Sequence, residues 1–315
     1  MLQFIKDGTV IPFMKIKGTV ELICIALVIG SIVAMCTKGL NWGLDFTGGI
    51  VVETEYPDGV DLSQVKDAYA KEGIVGTTQH FGSQKDVMVR VAPKEGLDQQ
   101  TVTNKVMVAS RTIDKDVKLS RSEYVGPAVG EELVESGILA IVVSLIAILA
   151  YVAFRFEWRM ATGAVISLAY DVIVVLGVFS VMQIEYDLTV LAAVLTVVGY
   201  SLNDKIVVFD RIRENAVNLP RNTSMYDVFN ISITETLSRT IITSGTTLIT
   251  VVSLMIFGGE MIYGFALALF VGIVFGTISS IYVASTWALI LGIKRENLVP
   301  VKVEKKESDG YETMD

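Results

Sequence analysis

Two cysteines, a single histidine and no clustered basic patch exclude several functions before any motif is read. Cys24 and Cys36 both fall in the first apolar run, so neither a disulfide framework nor a zinc-ligand spacing is available, and both read as lipid-facing or packing residues. His80 stands in a polar segment with no second histidine or cysteine to share a metal. The formal net charge is −8 and the Lys and Arg residues are dispersed, which argues against nucleic-acid binding as the main function. There is no nucleophile-and-base set, metal cluster or nucleotide loop, so no enzymatic turnover and no cofactor is expected. The Gly-rich "DFTGG" (45–49) lacks the Lys and Ser/Thr of a phosphate loop. Asp45, Gly48 and Gly49 read instead as a tight join between a span and a domain. No cleavable signal peptide is expected, because the first apolar run is long and has no small-residue cleavage site behind it.

What the chain has in abundance is apolar sequence: 52% of its residues are hydrophobic, too many for a soluble domain with one core. A bilayer core of about 30 Å needs about 20 apolar residues per helix. Six runs qualify, at 18–37, 133–154, 161–182, 188–208, 240–258 and 264–291. The expected architecture is a polytopic α-helical membrane protein with flanking segments 1–17 and 292–315 and one hydrophilic domain, 38–132, between the first two spans. Basic residues mark one side: Lys6, Lys15 and Lys17, then Arg155 and Arg159, then Arg211, Arg213 and Arg221, then Lys294, Arg295 and the Lys-rich tail. The opposite loops, "QIEYD" (183–187) and "GGEMI" (258–262), have none, which predicts cytoplasmic termini and an external domain.

Within 38–132 the periodicity predicts strands at 49–56, 77–83, 86–93 and 117–127 and helices at 61–73 and 97–114. The order β-α-β-β-α-β is that of a small α+β ferredoxin-like sandwich. Inside the spans the ionisable residues carry the functional signal, since an unpaired charge there costs several kcal/mol or more. Thr189, Ala193, Thr196, Tyr200 and Asn203/Asp204 share one face of the fourth span. Asp204 would lie about 24 Å from the outer end. In the fifth span Thr236, Arg239, Thr243, Thr246/Thr247 and Thr250 form a matching hydroxyl stripe below a guanidinium, and Asp171 is another buried carboxylate candidate. Asp204 and Arg239 read either as a structural ion pair or as an ion-coupling site in which a movable Arg239 switches the affinity of Asp204 for a proton or sodium ion. Lys205, turned about 100° from Asp204, is expected to snorkel toward the interface, and Asp210 to Glu214 read as a solvated helix exit. Ala268, Gly272, Gly276, Ser280 and Ala284 form a small-residue ridge suited to close packing.

Four segments, "GLDFTGG" (43–49), "VGPAVGEEL" (125–133), "GYSLNDKIVVFDRIREN" (199–215) and "SRTIITSGTTL" (238–248), resemble the signature segments of the SecF members of the SecD/SecF family, within the resistance-nodulation-division superfamily. The resemblance runs from about residue 10 to about residue 292. It implies a bacterial inner-membrane protein that assembles with SecD into a pseudo-symmetric twelve-helix unit beside the SecYEG channel, SecA and YajC. Such a complex uses the proton motive force, or sodium, to promote late export of preproteins. By this resemblance the family's coupling aspartate and arginine fall on Asp204 and Arg239, with Asn203, Tyr200, Thr243, Thr247, Asp171 and Lys205 around them. Family members commonly have a small residue after the aspartate, so Lys205 is a departure. A small-molecule efflux subunit and a non-conducting scaffold are the competing readings.

Overall fold

The structure is a computed structural model and describes residues 9–92 and 98–298. Lys6, the Lys-rich tail and the first residue expected of the second domain helix lie outside the described residues. Among the described residues, six helices are long and apolar enough to cross a membrane. They are α1 (Lys17–Lys38), α5 (Pro127–Arg155), α6 (Trp158–Met182), α7 (Leu188–Asn218), α8 (Met225–Phe257) and a last span broken at Tyr282 into α9 (Glu260–Ile281) and α10 (Val283–Ile290). Between α1 and α5 lie β1 (Asn41–Trp42), the short α2 (Leu44–Thr47), β2 (Gly49–Glu55), α3 (Leu62–Lys71), β3 (Thr77–Phe81), β4 (Ser83–Val91), α4 (Gln99–Ile113) and β5 (Lys118–Val125). A two-residue strand, β6 (Glu185–Tyr186), precedes α7.

The domain strands are antiparallel in the order β3-β4-β2-β5, the ferredoxin-like arrangement. Local chemistry explains its boundaries. The Asp61 carboxylate accepts from the Ser63 backbone N–H at 2.9 Å and caps α3. The β3-β4 hairpin turns at Gly82, whose φ of 76° is the left-handed value that glycine adopts without strain. That is two residues earlier than the polar pair at 84–85 had suggested, because Ser83 to Lys85 already belong to the strand. Val52, Val65 and Val106 are fully buried between the sheet and its two helices, each stabilising the domain by about 1.5–3 kcal/mol. The opposite sheet face buries Val51 and Met88 against Leu44 of α2.

Two helices outrun their apolar sequence. α7 continues to Asn218, ten residues past the run that ends at 208, and α8 begins fifteen residues before 240. The extensions hold each other. Arg211 bonds Glu214 at 2.6 Å and Glu235 at 2.7 Å, and the Asn215 amide donates to Ser232 and Glu235. Ser224 caps the start of α8: its hydroxyl accepts from the Asp227 N–H and donates to the Asp227 carboxylate. Hydropathy marks where lipid ends, whereas these side-chain bonds decide where the helix ends. Asp210 pairs with Arg155 at 2.6 Å, half-exposed, as befits the helix exit.

The "DFTGG" segment joins the domain to the bundle. β1 pairs in parallel with β6, Gly43 N–H donates to Tyr186 O at 2.8 Å, and the Asp45 carboxylate accepts from the Leu188 N–H at 3.0 Å, satisfying the start of α7. Arg90 of β4 reaches across to Glu185 and to the Trp42 carbonyl, both at 2.5 Å. Burial pushes the Glu185 carboxyl above the usual range, and Arg90 pulls it back. Replacing Arg90 with alanine should leave the half-buried Glu185 without its cation and weaken this join by about 2 kcal/mol. The readout is faster amide exchange over residues 183–190; unchanged exchange would show that the ion pair does not hold the domain to the bundle.

Candidate functional site

The site forms where α6, α7, α8 and α9 meet, and glycine makes the meeting close. An ideal Cβ on Gly272 would stand 2.3 Å from Val197, and one on Gly276 would stand 2.9 Å from the Ser201 hydroxyl. The ridge of small residues therefore packs inside the bundle, against α7.

Lys205 does not snorkel. Its side chain is 0% exposed, and its Nζ lies 2.9 Å from Asp171 Oδ2, also 0% exposed. The Ser201 hydroxyl, one turn earlier on α7, accepts from Nζ at 2.5 Å and donates to Asp171 Oδ2 at 2.6 Å. The Ser279 hydroxyl of α9 stands 3.4 Å from Nζ. The reason lies in helix geometry: the turn of about 100° that separates Lys205 from Asp204 aims it at α6. A buried counter-charge there removes the need to reach water.

Asp204 faces the other way and is 5% exposed. Among the described residues its carboxylate has no ion-pair partner within 4.0 Å. The expected contact with Arg239 is not made within this chain, because Arg239 lies on the exposed side of α8. The buried stripe of α8 is Ser232, Thr236, Thr240 and Ser244, spaced by four. Of the predicted stripe, Thr236 is buried, Thr243 and Thr247 are half-buried, and Thr246 and Thr250 are exposed. Several of these hydroxyls donate to carbonyls of their own helix, as in Thr243 to Arg239 O at 3.0 Å and Thr247 to Thr243 O at 2.9 Å. Tyr200 reaches Thr247 at 3.2 Å and ties α7 to α8.

The expected α7 face straddles the bundle's edge. Ala193 and Asp204 are buried, Tyr200 is half-buried, and Thr189, Thr196 and Asn203 are exposed. Asn203 and Arg239 are thus exposed, whereas the Asp204 carboxylate is buried. The sequence reading missed Ser201 and Ser279, which join the Lys205 and Asp171 charges, and the Ser244–Thr277 hydroxyl pair at 2.9 Å. Ser201 stands at i−4 from Lys205, a spacing that signals a shared face.

Residues 33–56 match the SecD/SecF GG motif, and residues 105–294 match the family described as protein export membrane protein SecD/SecF, C-terminal. The chain belongs to the SecD/SecF family. It is 50% identical over 311 residues to protein translocase subunit SecF of Vibrio alginolyticus, covering 98% of each chain. It is 48% identical over 286 residues to the SecF of Escherichia coli O157:H7, covering 90% of this chain and 88% of that one. The fold matches the crystal structure of SecDF, a translocon-associated membrane protein from Thermus thermophilus, with a TM-score of 0.81 at 35% identity. That match covers 90% of this chain and 39% of the longer SecDF chain. The SecD/SecF GG motif is the segment that joins domain to bundle, and the C-terminal match includes Asp171, Asp204, Lys205 and Arg239.

Asp171→Asn should strand a buried ammonium and destabilise the bundle by about 3–5 kcal/mol. The uncharged double variant Asp171→Leu/Lys205→Met should recover most of that loss, as measured by thermal unfolding of the purified full-length chain. A double variant no more stable than Asp171→Asn would mean that the charges are not each other's main partners.

Proposed function

We propose that this chain is an ion-driven auxiliary subunit of protein export, working with SecD. Its Asp204 takes up and releases a proton or sodium ion as the ion gradient is spent. The coupled motion promotes late preprotein translocation and release at the external face. One observation carries the reading: Asp204 is buried and, among the described residues, has no ion-pair partner, while the polar residues Asn203 and Arg239 are exposed. A carboxylate in that position is costly unless it exchanges a cation, and an exposed polar seam in a membrane helix requires a second helical surface to cover it. The 39% coverage of SecDF supports SecD as the source of that surface.

The missing Asp204–Arg239 contact also weighs against a scaffold role built on that pair. Arg239 is free to approach the carboxylate and leave it, favouring its charged form only when near. The distribution of Lys and Arg supports an inner-membrane topology with both termini cytoplasmic and the ferredoxin-like domain periplasmic. In this reading SecYEG, SecA and YajC are further partners, the preprotein is cargo, and no enzymatic turnover or resident cofactor is involved.

Asp204→Asn should assemble with SecD normally, lose ion conduction and lose its stimulation of secretion. Currents or vesicle flux of the SecD-containing complex, with Na⁺ and pH varied independently, test this and identify the ion. An Asp204→Asn variant that supported full export would overturn the coupling role.

A further inference from the structure

The surroundings of the Lys205 ammonium are those of a bound cation. Four oxygens converge on Nζ from three helices: Asp171 Oδ2 of α6 at 2.9 Å, Ser201 Oγ and O of α7 at 2.5 and 3.5 Å, and Ser279 Oγ of α9 at 3.4 Å. None of these donors is nitrogen or sulfur, and one carries a negative charge, so the set suits a hard cation. Ser201 spends its own proton on Asp171 Oδ2 at 2.6 Å, which turns its lone pairs toward Nζ. The other carboxylate oxygen, Asp171 Oδ1, is buried with no hydrogen-bond partner, as is the Ser167 hydroxyl one turn earlier on α6. Gly276 places no side chain here: an ideal Cβ on it would stand 3.8 Å from Asp171 Oδ2.

We propose that Asp171, Ser201 and Ser279 form a monovalent-cation site whose resident cation is the tethered ammonium of Lys205. A structural ion pair needs only one contact between two charges. Here hydroxyl and carbonyl oxygens from two further helices complete a shell around the positive centre, and the unpartnered Oδ1 leaves room for one more bond. The site is separate from Asp204, which faces α8. Because its cation is covalently attached, the site stays neutral whatever the sodium concentration. This leaves Asp204 as the buried carboxylate of α7 that can exchange an ion. Shortening Lys205 to a serine would vacate the ammonium's place while keeping the carboxylate, and Na⁺ would fill it.

The test uses full-length chain purified from membranes in the assembly it forms. Thermal unfolding is followed in NaCl and in choline chloride at equal ionic strength for the native chain, Lys205→Ser and Lys205→Ser/Asp171→Asn. The expected result is a midpoint for Lys205→Ser that rises with Na⁺ and saturates, beyond any rise in the native chain, and that is lost in the double variant. Yield of folded Lys205→Ser from Na⁺-containing and Na⁺-free extraction gives the same comparison where the variant is too unstable to melt. Equal midpoints or equal yields in the two salts, including failure to fold in both, would overturn the proposal. So would a Na⁺ response of the same size in the double variant, since Asp171 would then not be the ligand.

Discussion

Everything in the membrane part of this protein depends on how closely α9 lies against α7. Lipid tails are as apolar as leucine, so helices in a bilayer gain little from hiding apolar side chains and associate where their backbones can approach. Ala268, Gly272, Gly276 and Ser280 remove the obstacles on α9, and Val197 and Ser201 fill the space. This contact seals the level of the bundle at which Asp171, Ser201 and Lys205 meet. With bulkier residues on α9, Ser279 would stand farther off and water would reach a pair of charges that is now fully enclosed.

Two neighbouring residues in one helix consequently meet opposite conditions. Lys205 looks inward, where a carboxylate and hydroxyls replace the water it has lost, and its charge is compensated by its own chain. Asp204 looks toward α8 and, among the described residues, has no cationic nitrogen within 4.0 Å. Desolvation penalises both charges, but only one of them has its counter-charge in place. The asymmetry divides the work of the polar segment: one position holds the helices in register and the other stays chemically available.

Much of this was legible in the sequence, and what was not has a common cause. The domain elements could be read because residues such as Asp61 and Gly82 punctuate a two-residue and a 3.6-residue period. The spans could be read because an apolar run of about 20 residues has few other uses. Asp171, Asp204 and Arg239 stood out as ionisable residues in the wrong solvent. Rotation and register between helices were not legible. Periodicity groups Arg239 with Thr243 and Thr250 but does not say which neighbour that face meets: Thr247 reaches Tyr200 of α7, whereas Arg239 and Thr250 are exposed. Lys205 could be seen to turn away from Asp204, yet its partner lies 34 positions upstream on another helix. The polar extensions of α7 and α8 escaped for a different reason, since Arg211, Asn215 and Glu235 stabilise helix by bonds that hydropathy does not register.

The join at Asp45 and Glu185 has a mechanical meaning. Because β1 pairs with β6 and Asp45 caps the first turn of α7, the ferredoxin-like domain is tied directly to the start of that helix. Asp204 lies sixteen residues farther along the same rigid rod, about 24 Å from its outer end. Any tilt of α7 about a point near Asp204 would displace the domain end of the rod farther than every point between. The Gly-rich join is thus a rivet at one end of that rod, sixteen residues from the carboxylate.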